Sequence, residues 1–198
     1  MLSLDVKDLA SRSLEAELPE RRAAFPIGVR RILEELATRN IGRSGASVTA
    51  VTDAAVAECR TRIDIATAEL QRAADSKGVR YYVTLGADLG TALVELSQNL
   101  YGDVDTAGRT TLPAVAPNAS SAAGMFQSSI QEAVGQRLNK GKTDLEHYAE
   151  TLRTRERQRS EEAKLQFRER VVSGVIGGVI GAAATFLVQW IAHLLHVG

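Results

Sequence analysis

The chain contains three histidines and one cysteine, and their spacing limits the chemistry within reach. His193 and His196 stand three residues apart, which puts two imidazoles on one helical face. A metal site needs a third ligand of compatible type, and none lies near them. His147 is alone near a helix start. Cys59 falls on an apolar helical face and reads as a small core side chain rather than a nucleophile. Its solitude also rules out an intrachain disulfide, in keeping with a reducing compartment. Gly174, Gly177, Gly178 and Gly181 make a glycine-rich stretch, but it lies inside an apolar run and cannot cradle a phosphate. The expectation is a non-enzyme with no catalytic residue, no cofactor and no metal.

What remains is the chemistry of packing and of interfaces, and it concentrates at the C-terminal end. The 24 basic and 24 acidic residues all precede position 171, so residues 171–198 carry no Asp, Glu, Lys or Arg. Residues 171–195 form an uncharged stretch longer than the roughly 20 residues that cross a hydrocarbon core. The expectation is a single transmembrane helix and a tail-anchored protein. Seven basic residues lie in 151–170: Arg153, Arg155, Arg157, Arg159, Lys164, Arg168 and Arg170. None follows the span. The positive-inside rule therefore places the N-terminal body in the cytoplasm and the C-terminus on the far side. Lys164, Arg168 and Arg170 are the membrane-flanking cations, and Trp190 falls near the far interface, where an amphipathic ring is favoured.

At 100° per residue the span has two unlike faces. Gly174, Gly178, Gly181, Thr185, Gln189, Ala192 and His196 fall within about 80° of arc. Val172, Ile176, Val179, Ile180, Leu187, Trp190 and Leu194 lie opposite. Small residues matter where a second helix approaches closely, and Gln189 in hydrocarbon needs a partner for its amide. Gly174–xxx–Gly178 and Gly177–xxx–Gly181 overlap as two such motifs. The pattern from Gly174 to Thr185 resembles glycine-zipper membrane segments, and this implies self-association into a homo-oligomer. The packing face is Gly174, Gly177, Gly178, Gly181, Thr185 and Gln189.

The elements that must hold this helix read as all-α. Aromatics are 5% of the chain, and Ala, Leu, Glu, Arg and Gln dominate. The expected fold is a cytosolic helical bundle with a long C-terminal helix continuing into a single transmembrane helix. The bundle is residues 1–140, a charged stalk 143–170, and the span 171–195.

Within the bundle, Ser3 is a plausible N-cap for a first helix in which Leu4, Leu9, Ala10, Leu14 and Leu18 recur up to Pro19. A second, from Ile27, follows Pro26 and carries Ile27, Ile32, Leu33, Leu36 and Ala37 on its apolar face. Residues 40–45 form a loop. Ser47 opens a long helix whose seam is Val56, Cys59, Ile63, Ala66, Leu70 and Ala73, with Gly78 as the stop. Residues 79–84 read as a strand, a connector or a helical turn. A helix near 87–101 follows. Residues 102–121, with Pro113, Pro117 and Gly108, read as a flexible loop. A helix over 122–139 carries Phe126, Ile130, Ala133, Val134 and Leu138 and breaks at Gly141. Thr143 and Glu146 then make a capping box that opens the last helix. Its charge-laced middle reads as a solvated stalk, or as an interrupted coiled coil.

Zero net charge gives no global attraction to nucleic acid, and none is expected as a partner. The expected partners are the lipid bilayer, a second copy of the chain, and a cytosolic protein that the body senses or adapts. The alternative is a pore-forming or membrane-perturbing effector, of the toxin or anti-phage type, acting by oligomerisation of the C-terminal helix.

Overall fold

The computed structural model describes the backbone of residues 4–116 and 118–196 and the side chains of 5–116 and 118–171. It is all-helical, with no strand among the described residues. Among the described residues five helices follow in order: α1 Leu4–Thr38, α2 Gly45–Ser76, α3 Leu85–Ser97, α4 Gly102–Val115 and α5 Ala119–His196. The chain divides into two compact units, Met1–Leu152 and Arg153–Gly198.

In the first unit, α2 is the central element. It packs against α1, α3 and α4, and its buried residues join α5 in both hydrophobic cores. Ser44 caps its start, accepting a hydrogen bond from the Ser47 amide. Its end is a Schellman motif: the Val79 amide donates to Ala74 and the Gly78 amide to Asp75, with Gly78 at φ +61°. Asn40, at φ 59°, ends α1 in the same way, since the Ile41 amide reaches Leu36 and the Asn40 amide Ala37. The sequence seam of α2 is buried at Cys59, Ile63, Ala66, Leu70 and Ala73. A second row, Ala55, Arg62 and Glu69, is buried too, because α2 is covered on more than one side.

The apolar side chains form two clusters. One joins Val6, Ala10, Leu14 and Leu18 of α1 to Leu70 of α2, Leu85, Leu89 and Leu93 of α3, and Leu145 of α5. The other joins Val51, Cys59 and Ile63 of α2 to Val104 and Leu112 of α4 and Phe126 and Ile130 of α5. Leu145 and Ala149 are buried, so the first unit extends to Leu152.

Four expectations are corrected. Residues 102–121 are not a flexible loop: α4 occupies Gly102–Val115 and α5 begins at Ala119. Val104 and Leu112 are fully buried, and that burial outweighs the weak local propensity. Pro19 and Pro26 do not divide α1, which contains both. Both are exposed, and the carbonyls that they leave without a helical donor belong to Glu15 and Arg22, also exposed to water. Ile27, expected on an apolar face, is 62% exposed; Val29 is the buried residue there. Gly141 does not break α5. A Cβ at Gly141 would stand 2.7 Å from Leu93 Cδ2 and 2.8 Å from Thr67 Oγ1, so the glycine lets neighbouring helices approach. Thr143 consequently caps nothing and donates its hydroxyl to the Asn139 carbonyl. Residues 79–84, left open above, form a connector between α2 and α3.

Candidate functional site

Two arrangements in the described residues carry charge in a way that packing alone does not require. The first is a buried network centred on Arg62. Its side chain is wholly buried, and it sits on α2 next to Ile63 of the second apolar cluster. The guanidinium donates to Glu58 Oε1 at 2.9 Å, to Asp103 Oδ1 at 2.6 Å and to the Leu100 carbonyl at 2.7 Å. Arg21 of α1 reaches Glu58 from the other side, with Nη2 at 3.0 Å from Oε2. One guanidinium therefore ties α2 to the junction of α3 and α4, and Glu58 extends the tie to α1. Burial acts to lower the Arg62 pKa. The hydrogen bonds to Asp103 and Glu58, and their charges, outweigh it and hold the pKa above its ordinary value. Nη2 has no hydrogen-bond partner among the described residues.

Beside this network, α1 and α2 border a groove of about 550 Å³ with Phe25, Val29 and Ile32 on its apolar side and Glu17, Glu20, Arg21 and Glu58 on its polar side. Glu69, also buried on the second row of α2, accepts the Ser13 hydroxyl at 2.6 Å and pairs with Arg72. Cys59 is 1% exposed, and burial foremost pushes its thiol up to about 12. It is a packed core residue, as its spacing implied. Burial and a 2.9 Å hydrogen bond to Asp88 likewise raise the Tyr82 pKa. Among the described residues no cluster of three His, Cys, Asp or Glu could hold a metal ion.

The second arrangement is in the second unit. Every residue from 157 to 171 is exposed, including Lys164, Arg168 and Arg170. Phe167 is 68% and Leu165 59% exposed. Of the residues singled out from sequence, these three cations lie within the described side chains. Gly174, Gly177, Gly178, Gly181, Thr185, Gln189 and Trp190 lie outside them. Their backbone belongs to α5, which is helical to His196. Among the described residues no helix is long and apolar enough to cross a membrane.

Sequence reasoning missed Arg62, Glu58, Asp103 and Arg21. A signal for two of them was present: Glu58 and Arg62 are four apart on α2, and Arg62 follows Cys59 by three and precedes Ala66 by four. A cation in step with an apolar seam marks a buried ion pair. Asp103 was hidden because its segment read as a loop. No family model matches the chain, nor does any curated protein or solved structure.

Proposed function

We propose that this chain is a non-enzymatic, single-pass membrane protein anchored through the helix at 171–195. It self-associates through the Gly174, Gly178, Gly181, Thr185 and Gln189 face, and its helical body acts at the membrane as a sensor, adaptor or scaffold on the cytoplasmic side. The observation that carries this reading is the uncharged stretch behind seven basic residues, on backbone that stays helical through His196. A bundle in which Arg62, the only fully buried cation among the described residues, ties α2 to the junction of α3 and α4 suits a rigid scaffold rather than a catalytic cleft.

Crosslinking of the full chain in membranes is expected to trap dimers or higher forms that Gly178→Ile removes. An oligomer unchanged by Gly178→Ile would contradict the packing face. The same preparation separates the second reading, a pore lined by Gly174, Gly181, Thr185 and Gln189. Dye release from vesicles that is abolished by Gln189→Leu would favour conduction over packing, and the absence of release at any concentration would exclude it.

A further inference from the structure

The exposed stretch of α5 outside the apolar span has five cations flanking one face. At 100° per residue, Ala163, Phe167 and Val171 share one face. Arg159 and Arg170 border it on one side, and Arg157, Lys164 and Arg168 on the other. Glu162 and Glu169 lie on the opposite side, and Glu161 stands next to Arg157 and Arg168. The apolar residues on the basic face are uncovered: Phe167 is 68% and Val171 47% exposed. Ser160, Ala163, Lys164, Phe167 and Arg168 line an open groove there of about 420 Å³. Lys164 and Arg168 are four apart and project from one ridge of the helix, so a single anion can meet both.

The basic face is also in register with the glycine face. Continued at the same increment along α5, the line through Ala163, Phe167 and Val171 runs on through Gly174, Gly178, Gly181, Thr185 and Gln189. Copies that meet through the glycines must therefore bring their basic faces together just outside the hydrocarbon. Lys164, Arg168 and Arg170 stand within about 10 Å of position 171 at 1.5 Å per residue. That is the depth of the headgroup layer and about one Debye length. Unneutralised, these cations oppose the association that the glycines favour.

We infer that the face formed by Ser160, Lys164, Phe167 and Arg168 binds anionic phospholipid headgroups, and that the bound headgroups enable self-association by neutralising the converging cations. The phosphate meets Lys164 and Arg168, and Phe167 lies between them at the depth of the headgroups. This inference rests on the membrane reading given above and adds a ligand to it.

The test is crosslinked oligomer yield for the full chain reconstituted in neutral phosphatidylcholine vesicles and in vesicles of phosphatidylcholine with phosphatidylglycerol, at low salt. The wild type is expected to assemble in the anionic vesicles and to remain mostly monomeric in the neutral ones. Each cation near the surface is worth about fivefold in affinity for an anionic membrane. Lys164→Gln with Arg168→Gln should therefore assemble almost equally in both. Inorganic phosphate added to neutral vesicles should not replace the lipid. Equal wild-type assembly in both vesicles would overturn the lipid requirement while leaving self-association intact. Rescue by phosphate would overturn the assignment to a headgroup. If Gly178→Ile assembles as well as wild type in both, the glycine packing face on which this inference rests fails.

Discussion

Arg62 and Cys59 lie three positions apart on α2, and their environments show how differently one helix treats a charge and a thiol. Arg62 is retained in the interior because Glu58, Asp103 and the Leu100 carbonyl meet most of its donors. Removing one partner of such a buried pair leaves the other charge uncompensated, at a cost of about 3 kcal/mol or more. Glu58→Ala leaves Arg62 with Asp103 and the Leu100 carbonyl and should cost less than that, about 2 kcal/mol, in denaturant unfolding of the full chain in mild detergent. Arg62→Met, which removes the buried charge and keeps its bulk, should cost less than Glu58→Ala, because Glu58 retains Arg21 and Asp103 is partly exposed. The reverse order would mean that the network stabilises the fold by attraction and not by avoiding an orphaned charge. Cys59 predicts a pH dependence. Its pKa is raised from 9.0 to about 12, so the folded state holds the proton more tightly than the unfolded one. The stability that this supplies is complete below pH 9.0 and is lost as pH rises towards about 12. Tyr82 shifts in the same direction and shares the alkaline loss. Cys59→Ala should therefore lose less stability than wild type between about pH 8 and about pH 11, measured as the shift in urea midpoint. An identical loss in the two proteins would remove Cys59 from the alkaline transition.

At the scale of elements, α4 is the most instructive. Its residues 102–115 include Gly102, Gly108 and Pro113 and read as a loop from local composition. Their helical order comes from burial of Val104 and Leu112 against α2 and α5, which no local window contains. Gly108 illustrates the difference. A Cβ there would stand 1.9 Å from Phe126 Cζ and 2.6 Å from both ring Cε atoms. The glycine serves as a seat for a ring, not as a hinge. Gly108→Ala, which would favour an isolated helix by about 1 kcal/mol, should instead destabilise the protein by about 2 kcal/mol through overpacking. A thermal midpoint at or above that of wild type would show that α4 does not bear on Phe126. The long, periodic elements were legible: Cys59, Ile63, Ala66, Leu70 and Ala73 of α2 and Phe126, Ile130, Ala133 and Val134 of α5 bury as their spacing indicates, with Val56 and Leu138 partly buried. What was not legible is where helices continue. The prolines of α1 and Gly141 of α5 are helix breakers in isolation and are accommodated here by solvent on one side and by close packing on the other.

For the whole molecule, length and charge distribution bear on function more than any single site does. All 48 charged residues precede position 171, and α5 carries helical backbone across that boundary to His196. The cationic flank, the glycine face and the apolar length are separate features of one helix, and the proposed membrane reading rests on the three together. The body contributes a packed bundle with a clamped interior and a groove between α1 and α2. Its fold class was legible from composition and periodicity. Its charge network was not, because ion pairs such as Arg62–Asp103 join residues far apart in sequence and depend on a register that only the assembled bundle sets.

The most direct test of the membrane reading is alkaline carbonate extraction of membranes from cells producing the full chain. The account predicts that the protein stays in the membrane pellet, and that Val179→Lys with Ile180→Glu releases it to the supernatant. Wild-type protein recovered in the supernatant would contradict the account.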